Sequence, residues 1–175
     1  MTSYKLFHSV SISTNILDHH SFIYLRTFSH SFIVKRPLEK VWNFYTDVEH
    51  LEKITPKKID LRIINVTNQR IIQGQEIWLS GKIAIKIRTA RWHSKITLLQ
   101  PYEYVDEMLT GPFKKWKHIH KFQSIDDKQT EVIDVVEFEF PYNIIGKLFE
   151  GYAYKQLQDI FEHRKLATIN SLENY

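Results

Sequence analysis

Residues 115–140 read KWKHIHKFQSIDDKQTEVIDVVEFEF, and the alternation in this stretch decides the fold. In an extended chain successive side chains point to opposite faces, so Trp116, His118, His120 and Phe122 share one face while Lys115, Lys117, Ile119 and Lys121 share the other. The second half repeats the pattern. Val132, Asp134, Val136, Phe138 and Phe140 form an apolar row with a single acid, and Glu131, Glu137 and Glu139 fall opposite. Turn residues Asp126 and Asp127 separate the two runs, which predicts an antiparallel hairpin bringing His120 and Asp134 close to facing one another. One face of this hairpin belongs in a core and the other in water. A lysine row on a half-solvated sheet is ordinary outer-face chemistry, so no nucleic-acid partner is implied.

Upstream of the hairpin the same β-rich character recurs at Ile59 to Val66, Ile71 to Leu79, Ile83 to Leu99 and Tyr104 to Thr110. Asn68-Gln69, Ser80-Gly81, Pro101 and Gly111-Pro112 are the predicted turns between these runs. Connections this short favour antiparallel neighbours. Earlier still, Phe22 to Val34 reads as strand one, with Phe28, His30, Phe32 and Val34 on one face. Pro37 opens a short helix in which Leu38, Val41, Trp42, Phe44 and Tyr45 recur at helical spacing and belong to the core. Asp47 can cap a second short helix carrying Val48, Leu51 and Ile54, which must end before Pro56. After Pro141 the helical period returns, and Ile145, Leu148, Phe149, Tyr152, Gln156, Ile160 and His163 are the expected buried stripe of a long terminal helix. Gly146 and Gly151 within it predict a late start, a kink or a close backbone approach.

A chain of 175 residues with 43% hydrophobic and 14% aromatic residues is the size of one well-filled domain. We assign residues 1–21, rich in Ser, Thr, Asn and His without sustained period, to a poorly packed extension and residues 22–175 to a single domain. The +4 balance of 24 basic and 20 acidic residues is spread along the chain. There is no cysteine, which removes disulfides, thiolate nucleophiles and cysteine-ligated metals and makes the cytoplasm the expected location. No apolar run is long enough to span a bilayer. Five glycines supply no phosphate-cradling loop, and there is no Gly-x-Ser-x-Gly elbow. Nucleotide enzymes and the commoner nucleophilic hydrolases are thereby disfavoured.

The stretch GPFKKWKHIHKF at 111–122, followed by TEVIDVVEFEFP at 130–141 and the helix beginning NIIGKLFEGYAYKQLQDIFEHRK, is similar to the ligand-binding SRPBCC (START-like) domain proteins of bacteria and archaea, some labelled cyclase/dehydrase-like. The resemblance runs from about Phe28 to about Leu172. It implies an α+β helix-grip fold: a curved antiparallel sheet of about seven strands wrapped around the C-terminal helix, with two short helices after strand one. It also implies a largely apolar cavity between sheet and helix. The superfamily spans lipid carriers, plant hormone and allergen proteins, aromatic polyketide cyclases and coenzyme Q-binding proteins, so the resemblance implies no single reaction.

A tight turn at Gly111-Pro112 would pair Glu107 with Trp116 and Val105 with His118, making Glu107, His118, His120 and Asp134 the polar cluster on the inner face. A slip of one residue would put Asp106 in place of Glu107. Three accounts of the cluster stand: acids and histidines satisfying one another beneath a cavity, polar groups orienting a ligand, and general acid/base chemistry by His118 or His120. A metal held by His-x-His and a carboxylate ranks below these, and no cofactor is implied. Trp78, Trp92 and Phe149 read as core or cavity wall. The candidate ligand-contacting residues are therefore Trp92, Glu107, Trp116, His118, His120, Asp134, Phe138, Phe149 and Tyr152. The expected partner is a small hydrophobic molecule, lipid-like or aromatic, either carried or, alternatively, acted on as a cyclase/dehydratase would; no residue is assigned as catalytic.

Overall fold

Strand β1, Arg26–Val34, alternates as expected, with Phe28, Phe32 and Val34 buried. The computed structural model describes residues 25–82, 89–141 and 143–173, and the side chains of all of these except 143–149. The N-terminal extension assigned from the sequence lies outside the described residues. Helix α1, Leu38–Tyr45, starts where the Pro37 carbonyl accepts the first helical bonds, from Lys40 and Val41. It turns Val41, Phe44 and Tyr45 inward, each such burial stabilising by about 1.5–3 kcal/mol. The Thr46 hydroxyl closes its last turn on the Trp42 carbonyl. Helix α2, Glu49–Ile54, begins beside Asp47, whose carboxylate accepts the Glu49 amide at 3.1 Å, and stops ahead of Pro56. A short 3-10 turn, Lys57–Ile59, leads into the sheet, a turn that the sequence reading had merged with the following strand.

Six further strands follow: β2 (Arg62–Val66), β3 (Glu76–Lys82), β4 (Thr89–Gln100), β5 (Glu103–Thr110), β6 (Lys115–Ser124) and β7 (Thr130–Glu139). They form one antiparallel sheet with spatial order β1-β7-β6-β5-β4-β3-β2. Register breaks within β2 and twice within β4 accompany the curvature, since an extra residue bends its strand and increases the local twist. Ser80 and Gly81 do not form a turn. They are paired residues of β3, opposite Arg91 and Ala90, and a Cβ on Gly81 would lie 3.1 Å from both the Ile59 carbonyl and the Trp92 ring. The glycine marks close packing inside a strand.

Helix α3, Asn143–Glu173, is continuous through both glycines, and a Cβ on Gly151 would meet nothing within 4 Å. Its buried stripe is Ala153, Leu157, Phe161, Arg164 and Thr168, one residue out of phase with the expected one. Tyr152 is 45% exposed and His163 faces outward. Both stripes obey helical spacing, and the observed one aligns the small and bulky residues that fit the curved sheet. Two apolar clusters result. One joins α1 and α2 to sheet residues that include Phe32, Ile77, Ile96, Tyr104, Phe122 and Val132, and the other packs Phe28, Val136 and Phe138 against Ala153, Leu157 and Phe161.

Candidate functional site

Between the two apolar clusters, the inner faces of β5, β6 and β7 carry a buried polar group that the alternation of β6 dictates. His118 and His120 project from the same face, with ring centroids 3.7 Å apart. His120 lies directly opposite Asp134 in the β6–β7 ladder, as the hairpin parity predicts. His118 Nε2 donates to Asp134 Oδ1 at 2.9 Å, and His120 Nδ1 lies 3.0 Å from the same oxygen. On the far side of the rings the acid is Asp106, with Oδ2 3.0 Å from His120 Nε2 and 3.8 Å from His118 Nδ1.

Glu107 is not part of this group. Residues 111–114 form the connection between β5 and β6, longer than the tight turn supposed, and the register is shifted by one residue, so Glu107 pairs with Lys117 and Asp106 with His118. The one-residue shift sends Glu107 to the outer face, where it accepts from the Thr97 hydroxyl at 3.0 Å. The outer lysines are likewise engaged with acids, Lys115 with Glu137 at 3.6 Å and Lys121 with Glu103 at 3.5 Å.

Arg164, which sequence reasoning missed, comes down from α3 onto this group and is 8% exposed. Its guanidinium stands over the rings of Tyr45 and Phe161, and Tyr45 in turn bonds Thr168 on the next helical turn at 2.9 Å. Burial opposes the charged form of Asp134, yet Arg164 and the two histidines overcome it and hold the carboxyl well below its usual range. Asp106 is lowered in the same way, against burial, by the His120 bond and the charges of His118, His120 and Arg164. Burial, reinforced by His120, draws His118 down to about 4, and burial pushes the Tyr45 hydroxyl up to about 12. Two ionised acids, one guanidinium and a neutral His118 thus share a largely buried site, in which Asp106, at 24%, is the most exposed.

The group lines a largely apolar cavity of about 260 Å³ between the sheet and α3. Leu157, Ile160 and Phe161 of α3 form its roof, and Ile77, Leu79 and Ile96 are among the sheet residues of its floor. Of the residues singled out from the sequence, Trp92, Trp116, His118, His120 and Phe138 line it, and Asp134 lies fully buried behind the histidines. Tyr152 does not line it, and the Phe149 side chain is outside the described residues. Trp78 stands on the outer face, stacked on His93 at 4.2 Å. Asp106, the alternative that a one-residue slip allows, lines the cavity, as do Tyr45 and Arg164, which the sequence reading does not place there. Arg164 had a legible signal: it continues the Ala153, Leu157, Phe161 spacing at which an unaccompanied cation is out of place.

A seven-stranded antiparallel sheet gripping a long terminal helix over such a cavity defines a helix-grip domain of the SRPBCC type. The chain belongs to the family described as polyketide cyclase / dehydrase and lipid transport, which it matches over residues 34–161. Among solved structures, a START superfamily protein from Mycobacterium smegmatis is 14% identical, covers 85% of this chain and 97% of its own, and superposes with a TM-score of 0.63. The Zhui aromatase/cyclase from Streptomyces sp. R1128 is 20% identical, with 83% and 90% covered and a TM-score of 0.60. Truncated norcoclaurine synthase from Thalictrum flavum is 10% identical, with 91% and 99% covered and a TM-score of 0.68. At these identities the likeness is one of fold. No curated protein matches the chain in sequence.

Proposed function

We propose that this protein binds and carries a small hydrophobic molecule, lipid-like or ring-containing, enclosed beneath α3, and that it does so in the cytoplasm. The observation that carries the reading is the cavity itself: about 260 Å³, walled mostly by aliphatic and aromatic side chains, with a few polar groups, Asp106, His118, His120 and Arg164 among them. Mostly apolar walls supply the affinity of such a site, and a few convergent polar groups orient the ligand. The absence of cysteine agrees with a reducing compartment, and no helix among the described residues is long and apolar enough to cross a membrane. Native mass spectrometry and organic extraction of the protein purified from its own source test the reading. A stoichiometric small apolar molecule supports it; protein that emerges empty and takes up no lipophile contradicts it.

A second reading is a cyclase/dehydratase-like enzyme with His118 or His120 as the proton-transfer group, and its specific support is that both rings line the cavity with carboxylates behind them. The family description and the aromatase/cyclase among the similar folds favour keeping it. Against it as the first choice stands the acid–base balance. A general base works best when poised near the working pH, whereas His118 is drawn down to about 4. Turnover of an aromatic polyketide-like substrate that is lost in His120→Gln but kept in Trp116→Ala would reverse the order of the two readings.

A further inference from the structure

The carboxylate that takes the place expected of Glu107 alters what the two histidines can do. We propose that Asp106, His118 and His120 form a two-histidine, one-carboxylate site for a divalent first-row transition metal on the wall of the cavity. Each offers one ligand atom, and the three atoms all lie within 4.8 Å of one another. Asp106 Oδ2 is already 3.0 Å from His120 Nε2 and 3.8 Å from His118 Nδ1. Metal bonds of about 2.0–2.2 Å set neighbouring donors about 3–3.6 Å apart, so only small side-chain adjustments are needed.

The opposite ring edges carry the second observation. His118 Nε2 and His120 Nδ1 both approach one oxygen, Asp134 Oδ1, at 2.9 and 3.0 Å. A carboxylate behind a histidine fixes the ring and raises its basicity toward a metal, and here a single buried acid stands behind both. His120 Nδ1 and Asp134 Oδ2 lack aligned hydrogen-bond partners among the described residues, an unusual state for atoms this deeply buried. Metal binding resolves it in part. The ion displaces the proton that His120 Nε2 shares with Asp106, and the ring then carries its proton on Nδ1, toward Asp134.

Rigidity and charge agree with this assignment. Tyr104 stacks on His120 at 4.1 Å, and Phe161 meets His118 edge-on at 5.4 Å, so the donors are held in place. The two acids outnumber the one guanidinium, which lies over the rings of Tyr45 and Phe161. Two imidazoles with one carboxylate suit zinc, iron, cobalt or nickel better than calcium or magnesium, which prefer oxygen ligands. Three protein ligands leave coordination positions open toward the cavity, the arrangement of a reactive rather than a structural site. This assignment does not depend on the carrier reading, because the site is complete without an organic ligand.

The test uses the full chain, stripped with chelator, titrated with zinc chloride by calorimetry and with cobalt(II) chloride by visible absorption. We expect one ion per chain, a cobalt ligand-field band, and affinity at least tenfold weaker in Asp106→Asn. Asp134→Asn, which removes the supporting carboxylate, is expected to weaken binding 10–100-fold. Binding as tight in a folded Asp106→Asn, His118→Gln double variant, or no stoichiometric binding at all, overturns the proposal. Should the variants fail to fold, paramagnetic broadening of the wild-type spectrum by cobalt decides. Signals of His118, His120 and Trp116 broaden first if the site is right, and those of His93 or His163, which do not line the cavity, broaden first if it is wrong.

Discussion

Asp134 is the residue on which the buried network depends, and replacing it gives a graded response that the structure allows to be worked out. It has no solvent exposure, accepts from His118 at 2.9 Å, and supplies the negative charge facing buried Arg164. Asp134→Ala removes the main anion acting on that guanidinium together with the acceptor of the His118 bond, a loss of about 3–5 kcal/mol for buried groups left short of a partner. In a domain of this size each kcal/mol lowers the melting temperature by about 2–4 °C, so a fall of roughly 6–20 °C is expected. Asp134→Asn keeps the shape and one acceptor oxygen and loses only the charge, so it should be milder by about 1–3 kcal/mol. Urea unfolding followed by tryptophan fluorescence measures the difference. NMR titration of the ring protons adds the sign: without the carboxylate that favours its imidazolium, His118 protonates at still lower pH than in the wild type. Both variants within about 0.5 kcal/mol of the wild type, with unchanged titration curves, would refute the network as described.

Other outcomes follow from the same geometry. His118 titrates near 4 when folded and near 6.5 when unfolded, so between these values the unfolded chain binds the extra proton and stability is lost as pH falls through that window. The loss is on the order of 3 kcal/mol, and His118→Gln should flatten urea midpoints measured from pH 6.5 down to pH 4. Trp116→Ala, on the cavity wall, should change uptake of a lipophilic fluorophore severalfold, whereas Lys117→Ala on the outer face should alter stability by no more than about 0.5 kcal/mol; equal responses would invert the face assignment. Removal of residues 1–21 should leave the melting temperature within about 2 °C, because the described core begins with β1; a larger fall would mean that the segment packs on the domain.

How far the sequence discloses this site varies from strand to helix, for physical reasons. The β6–β7 hairpin was legible because a period of two leaves only one way to bury Trp116, His118, His120 and Phe122 together. The choice between Glu107 and Asp106 was not legible, because it hangs on a one-residue shift of register at the 111–114 connection, and adjacent acids give the pattern no preference. Helix α3 admitted two apolar stripes one residue apart. Only the curved sheet selects Ala153 over Tyr152. Arg164 stands at the spacing of the buried stripe, but its connection to Asp134, 30 positions earlier on another element, is made only by the fold. Gly81 read as a turn because the neighbour that demands a glycine there, Ile59, is brought close only by tertiary packing.

The central claim, an enclosed apolar cavity that takes a small lipophile, is tested most directly by titrating N-phenyl-1-naphthylamine into the wild type and into Ala153→Phe. Ala153 lies on α3 at the cavity wall, so the larger side chain fills the space the probe needs, with an overpacking cost of about 1–3 kcal/mol that a folded domain should tolerate. Energy transfer from Trp92 and Trp116, both lining the cavity, reports occupancy. The account predicts saturable one-to-one binding in the wild type and affinity at least tenfold weaker in a folded Ala153→Phe. Equal binding by the two proteins, or none by either, would contradict it.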